Sequence, residues 1–266
     1  MPAVLRRVYR GAAGLVLLFG AAQLALWAGR VAPATFPLPS AVLGSAAGLA
    51  RNGSFLASVG STMAAWAEAM VIAVVIAVPV GLLLASVPMA EPVVRPVLEF
   101  VRPIPAVVLV PLVLLIVQDD QRTQIAVVVF AAVWPVLINT VYGVKSVDPL
   151  ATETLRSFGF GPLGVVRLVS LPSAAPFIAT GVRVAASFAF VVAVAVELIG
   201  TGMAGIGAFA AQEENGAGDM AVMLAIAVWT GLIGLRLGWL QLVQHQHYVE
   251  TAARSEERRV GKECLE

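Results

Sequence analysis

The chain has 266 residues, 59% of them hydrophobic and only 12% charged. Soluble domains carry about twice that share of charge, so the composition excludes an ordinary soluble domain and points to a membrane. A formal net charge of +1 gives no global basic field for nucleic acid, and the single cysteine, Cys264, excludes an internal disulfide or a cysteine metal cluster.

The apolar residues gather in six blocks, each long enough for the roughly 20 residues that cross a bilayer. They run over residues 11–29, 58–87, 93–117, 124–144, 174–199 and 220–241. The fold class expected from this pattern is all-α, a polytopic membrane protein with six transmembrane helices. One membrane domain would cover residues 1–253, and the length leaves no room for a nucleotide-binding domain beside it.

The first block follows Arg6, Arg7 and Arg10. Its apolar stretch exceeds the usual signal-peptide core, which favours a retained helix over a cleaved leader. Residues 30–54 read as an external connection, with Ser40 placed to cap a short helix over 41–50. The second block is too long for a simple crossing, so its first turns from Phe55 would lie along the outer surface. Pro79, Pro105, Pro111 and Pro135 fall inside expected spans and read as packing kinks, which membrane helices tolerate.

Residues 118–122 (Gln-Asp-Asp-Gln-Arg) form a polar turn, and residues 200–219 form the largest outer loop. Arg6, Arg7, Arg10, Arg95, Arg102, Lys145, Arg156 and Arg167 fall on one side of the membrane, so both termini read as cytoplasmic. Tyr9, Tyr142, Trp27 and Trp239 suit interfacial anchors. The charged residues 254–266 lack apolar periodicity; a read-through remnant and a native solvated tail both fit them.

The loop between the fourth and fifth blocks carries the most information. Asp148 can cap a helix and Pro149 suits its first position. Leu150, Leu155 and Phe158 can then share one face, with Glu153 and Arg156 on another. Gly159 and Gly161 break that helix. Pro162 can start a second short helix over 163–170, ending before Pro172. By amphipathicity alone, a knob for a partner's groove and a loop lying on the bilayer are equally good readings.

Glu153, Gly159, Val169, Leu171 and Pro172 occupy, at the same spacing, the fixed places of the EAA loop. The chain therefore resembles the permease subunits of binding-protein-dependent ABC importers. Thr154 and Leu155 replace the two alanines of the pattern. Pro37-Leu38-Pro39-Ser40, residues 101–105, residues 137–140 with 147–149, and residues 196–200 resemble the sulfonate, taurine and nitrate permease branch. The likeness covers about residues 36–245; residues 117–121 depart from it.

That resemblance implies a type I importer permease with a cytoplasmic coupling loop over 148–172, in the bacterial inner membrane. ATPase coupling would fall to Asp148, Leu150, Glu153, Leu155, Arg156, Phe158, Gly159, Leu171 and Pro172. It implies a homodimer, two separate ATPase subunits that hold ATP and magnesium, and an extracytoplasmic solute-binding protein. No cofactor is expected on this chain, and its role is non-catalytic. The implied solute is a small anion such as a sulfonate, taurine or nitrate, with a vitamin-precursor heterocycle as the alternative.

Glu68 and Glu197 lie within or at the end of apolar blocks, where an ionisable group is costly and marks a candidate site. Together with Arg102 they are the candidate pathway residues. For Glu197 a gate and a structural role are equally open, for Glu68 a surface position competes, and Arg102 and Arg183 also read as snorkelling anchors. No Gly-x-x-x-x-Gly-Lys-Ser/Thr or His-Glu-x-x-His occurs. His245 and His247 are two apart and point to different sides of a helix.

Overall fold

The computed structural model describes residues 37–87, 99–200, 202–215 and 220–236, with isolated positions between 14 and 24 and at 96. Most of the first expected span, Arg6, Tyr9, Trp27, Arg95, Asp219, Trp239, both histidines and residues 254–266 lie outside them.

The described residues are helical and include no strand. In chain order they form α1 (Pro39–Leu49), α2 (Gly53–Ser86), a 3-10 turn (Ala106–Leu109), α3 (Val110–Val117) and α4 (Asp120–Lys145). After these come α5 (Pro149–Ser157), α6 (Pro162–Val165), a π turn (Val166–Ser170), α7 (Leu171–Ile199) and α8 (Ile206–Asn215). The last described helix is α9 (Met220–Arg236). Three stretches are long and apolar enough to cross a membrane: Gly53–Ser86, Asp120–Lys145 and Pro162–Ile199. Ala106–Val117 and Met220–Arg236 are shorter apolar helices within the third and sixth expected spans.

Local chemistry sets several helix starts. Asn52 caps α2 by accepting from the backbone N–H groups of Ser54 (3.0 Å) and Phe55 (3.3 Å). Asp119 caps α4 through the Arg122 N–H at 2.7 Å, after Gln118 has turned the chain at φ +52°. Ser40 does not cap α1: that helix starts two residues earlier than expected, at Pro39, and Ser40 pairs with Gln23 instead. A proline at that position pre-sets the helical φ and removes an orphan N–H, so no cap is needed.

The expected third span is not one helix. The helix over 99–101 ends in a turn at 102–104, a 3-10 segment follows, and α3 starts only at Val110. Pro103, Pro105 and Pro111 lie close together, and each disfavours the helical region for the residue before it. Pro79 and Pro135, by contrast, sit inside continuous helices. The second span is likewise a single unbroken helix of 34 residues, beginning at Gly53.

Helices α2, α4 and α7 make the core, filled with alanine and valine: Ala69, Ala73, Ala77, Val127, Ala132, Val136, Ala185, Ala189 and Ala193 are all buried. Small residues let the helices approach, which is what drives packing where lipid is as apolar as the partner helix. A Cβ on Gly81 would stand 2.8 Å from Thr140 Cβ, and one on Gly181 would stand 2.9 Å from the Pro135 carbonyl. A second cluster of Leu49, Phe55, Phe190, Ile206, Ala225 and Ile226 brings α1, α8 and α9 onto one end of this core. The indole N–H groups of Trp66 and Trp229 reinforce it, donating to the carbonyls of Ala186 (2.8 Å) and Ala46 (3.0 Å).

Candidate functional site

One end of the bundle carries the segment 148–172. Asp148 Oδ1 accepts from the Leu150 N–H at 2.9 Å and starts α5, while Thr152 and Thr154 turn their hydroxyls onto the helix carbonyls. Gly159 then ends α5 at φ +83°, a left-handed conformation that costs any other residue about 1–2 kcal/mol. The Phe160 N–H returns to the Leu155 carbonyl at 3.1 Å and closes the turn.

The apolar side chains of this turn face outward. Leu150 is 68% exposed, Phe158 76% and Leu163 80%, with no protein packed over them. Leu155 is half-buried, so it supports the turn more than it presents a surface. Glu153, Arg156 and Gly159 are exposed, and Asp148 is half-buried. Leu163 and Phe160 join the exposed set though they stand on no helical face with Leu150.

Leu171 and Pro172 have a different role from a loop terminus. The helix begun at Pro162 does not stop before Pro172: α6, the π turn and α7 run on as one helix of 38 residues. Pro172 has no N–H, and a proline inside an α-helix clashes with the carbonyl four residues back. The π turn over Val166–Ser170 widens the helix just ahead of it, where that clash would fall. The second half of the knob, from Pro162, is therefore continuous with a membrane-length helix, and α5 is joined to it through the Gly159 turn.

The other end of the bundle holds Glu197, which is 0% exposed. Its Oε2 accepts from Thr62 Oγ1 of α2 (3.0 Å) and from the Gly207 N–H of α8 (2.9 Å). Its Oε1 accepts from Gln124 Nε2 of α4 at 2.6 Å. Thr62 Oγ1 in turn accepts from the Ile206 N–H at 2.9 Å, and Ser61 Oγ donates to the Ala204 carbonyl at 3.1 Å. Four elements thus meet on one carboxyl group. The 200–219 region, expected to be a loop, contains α8, whose Phe209 packs edge-on against Phe55 at 5.5 Å. That helix is too short for its period to stand out, and its first turn relies on distant side chains.

Glu68 and Arg102 are not part of this cluster. Glu68 is exposed on α2, and Arg102 is exposed in the turn before the 3-10 segment. Among the described residues, no group of three His, Cys, Asp or Glu side chains is placed to hold a metal ion.

Known proteins resemble this chain both in sequence and in fold. Residues 77–249 match the family described as the binding-protein-dependent transport system inner membrane component. The chain belongs to this family. It is 34% identical over 152 residues to the bicarbonate transport system permease protein CmpB of Synechococcus elongatus, covering 55% of this chain and 54% of that one. It is 32% identical to the nitrate import permease protein NrtB of Leptolyngbya laminosa, over 54% of this chain and 51% of the relative. A probable ABC transporter permease of Brucella melitensis is 29% identical and shares 75% of this chain and 80% of its own. The chain thus spans about half the length of the first two relatives.

Among solved structures, an amino acid ABC transporter with histidines superposes with a TM-score of 0.60 at 17% identity, covering 72% of this chain and 92% of that chain. An inward-facing MetNI methionine ABC transporter gives 0.61 at 19%, covering 70% and 92%. These likenesses establish the ABC importer permease fold.

Proposed function

We propose that the chain is the pathway-forming membrane subunit of an ATP-driven importer for a small anion, and that the segment 148–172 couples it to a separate ATPase. The observation that carries this reading is the exposed apolar turn of Leu150, Phe158 and Leu163, held by a left-handed glycine on the end of a membrane-length helix. Three large apolar side chains left exposed within fourteen residues suit a groove on a partner, where such anchors supply most of the affinity. Two permease copies, two ATPase subunits and an extracytoplasmic binding protein complete the assembly, with both termini of this chain in the cytoplasm. Closure of the ATPases draws the two knobs together and turns the cavity from one side of the membrane to the other, a rigid-body switch between packed states.

For the solute, the names of the relatives support a small oxoanion of the nitrate or bicarbonate kind over a sulfonate or taurine. A transporter that needs no ATPase is the competing reading, and recruitment separates the two. Gly159→Trp is expected to abolish co-purification with the ATPase subunit while the chain still inserts into the membrane. Recruitment at the normal level would remove the coupling role from this segment. Uptake of labelled nitrate and bicarbonate into cells carrying the assembled system decides the solute class.

A further inference from the structure

We propose that Glu197 is a positioning residue: it fastens the segment 202–215 to the far end of α7, so that this segment moves with the helix that begins in the knob. The fastening stands on geometry; the motion rests on the ATP-driven reading above.

The covalent connection alone cannot hold α8 in place. Residues 200–205 include Gly200, Gly202 and Gly205, with φ of +102° at Gly202, and so give a joint of high conformational freedom. The N–H groups of Ile206 and Gly207 open α8 and have no partner within their own helix. They find one in Thr62 Oγ1 and Glu197 Oε2, side chains more than a hundred residues and ten residues away in sequence respectively. The approach is as close as backbone allows. A Cβ on Gly205 would run into the Glu197 carboxyl group, and one on Gly207 into the Val194 carbonyl. Both oxygens of Glu197 are engaged and the side chain is wholly enclosed, so it has no face left for a solute.

The other end of the same helix is the knob. Gly161 and Pro162 lie 36 and 35 residues before Glu197, so one rod of about 50 Å joins the ATPase-coupling turn to the fastening of α8. A displacement of the knob's second half, from Pro162 on, then reaches the fastening along continuous helix.

Amide hydrogen exchange of the full chain in lipid nanodiscs tests the fastening. Glu197→Ala is expected to speed exchange at Ile206 and Gly207 by about tenfold or more, as loss of bonds to such an acceptor implies. Glu197→Gln is expected to stay within about threefold of the unaltered chain: its Oε1 can serve Thr62 and Gly207, and its Nε2 can donate to a turned Gln124 amide. Gln124→Glu removes the amide donor and sets two enclosed carboxyl groups against each other, joined by no more than one shared proton, and is expected to speed exchange at Ile206 and Gly207. Exchanging both, Q124E with E197Q, restores one amide facing one carboxyl group and is expected to restore protection. Unchanged exchange in Glu197→Ala, or no recovery in the exchanged pair, overturns the proposal.

The motion is tested in the assembly with the ATPase, with and without vanadate-trapped nucleotide. Exchange at 202–213 is expected to differ between the two states in the unaltered chain and in E197Q, and not in Glu197→Ala. A response at 150–158 without one at 202–213 in the unaltered chain overturns the coupled motion. If neither segment responds, the ATP-driven reading falls and the fastening is decided by the first measurement.

Discussion

The two ends of the bundle are built on opposite principles. The knob end is assembled from neighbours in sequence: Asp148 caps its own helix two residues on, Gly159 closes its own turn, and the large apolar groups are left outside. The clamp end is assembled from residues far apart, Thr62, Gln124, Glu197 and Gly207, and everything polar is enclosed. An exposed knob can be altered with little cost to the fold, whereas a buried hydrogen-bonded cluster fails as a whole when one partner goes. Surface and stability are thus separated along one molecule.

The sharpest way to break that contrast is at the knob. Leu150→Asp with Phe158→Asp is expected to weaken ATPase recruitment about a hundredfold or more, since both are candidate anchors. Thermal unfolding of the purified chain should shift by no more than about 0.5 kcal/mol equivalent, because neither side chain is packed. A large loss of thermal stability would show that the knob is part of the core. At the clamp the order reverses. Gly207→Ala is expected to cost about 1–3 kcal/mol in stability, because its Cβ meets backbone that cannot step aside. It should leave the knob's affinity for the ATPase unchanged in a pull-down titration.

A smaller effect refines the knob itself. Asp148→Ala removes the cap on α5 and is expected to cost about 1 kcal/mol locally, seen as roughly fivefold faster amide exchange over 150–157 with the melting temperature unmoved. A global loss of stability in this variant would mean that the cap is tied to the membrane helices.

How much was legible differs between the ends for the same reason. The caps, the glycine turn and the apolar knob around Asp148, Pro149 and Gly159 are local, and a reading of neighbours reaches them. The helices α2, α4 and α7 follow from hydropathy and length. The role of Pro172 did not follow, since a proline after a short helix reads as a stop, and only the π turn lets the chain continue as a helix. Residues 200–219 looked like an open loop because their glycines dominate, while α8 is held by side chains from other helices. Glu197 itself stood out as a charge at the end of an apolar block, but nothing near it in sequence named its partners.

The sequence by itself determined that Gly53–Ser86, Asp120–Lys145 and the helix through Leu171–Ile199 are long and apolar enough to cross a membrane, which turn protrudes and which residues cap it, because those depend on solvent transfer and on bonds spanning a few residues. Only the tertiary structure decided that one helix runs from knob to clamp and that Glu197 is satisfied by Thr62, Gln124 and Gly207. Those bonds join positions that come together only once the helices pack, and packing is set by the small residues that let α2, α4 and α7 touch.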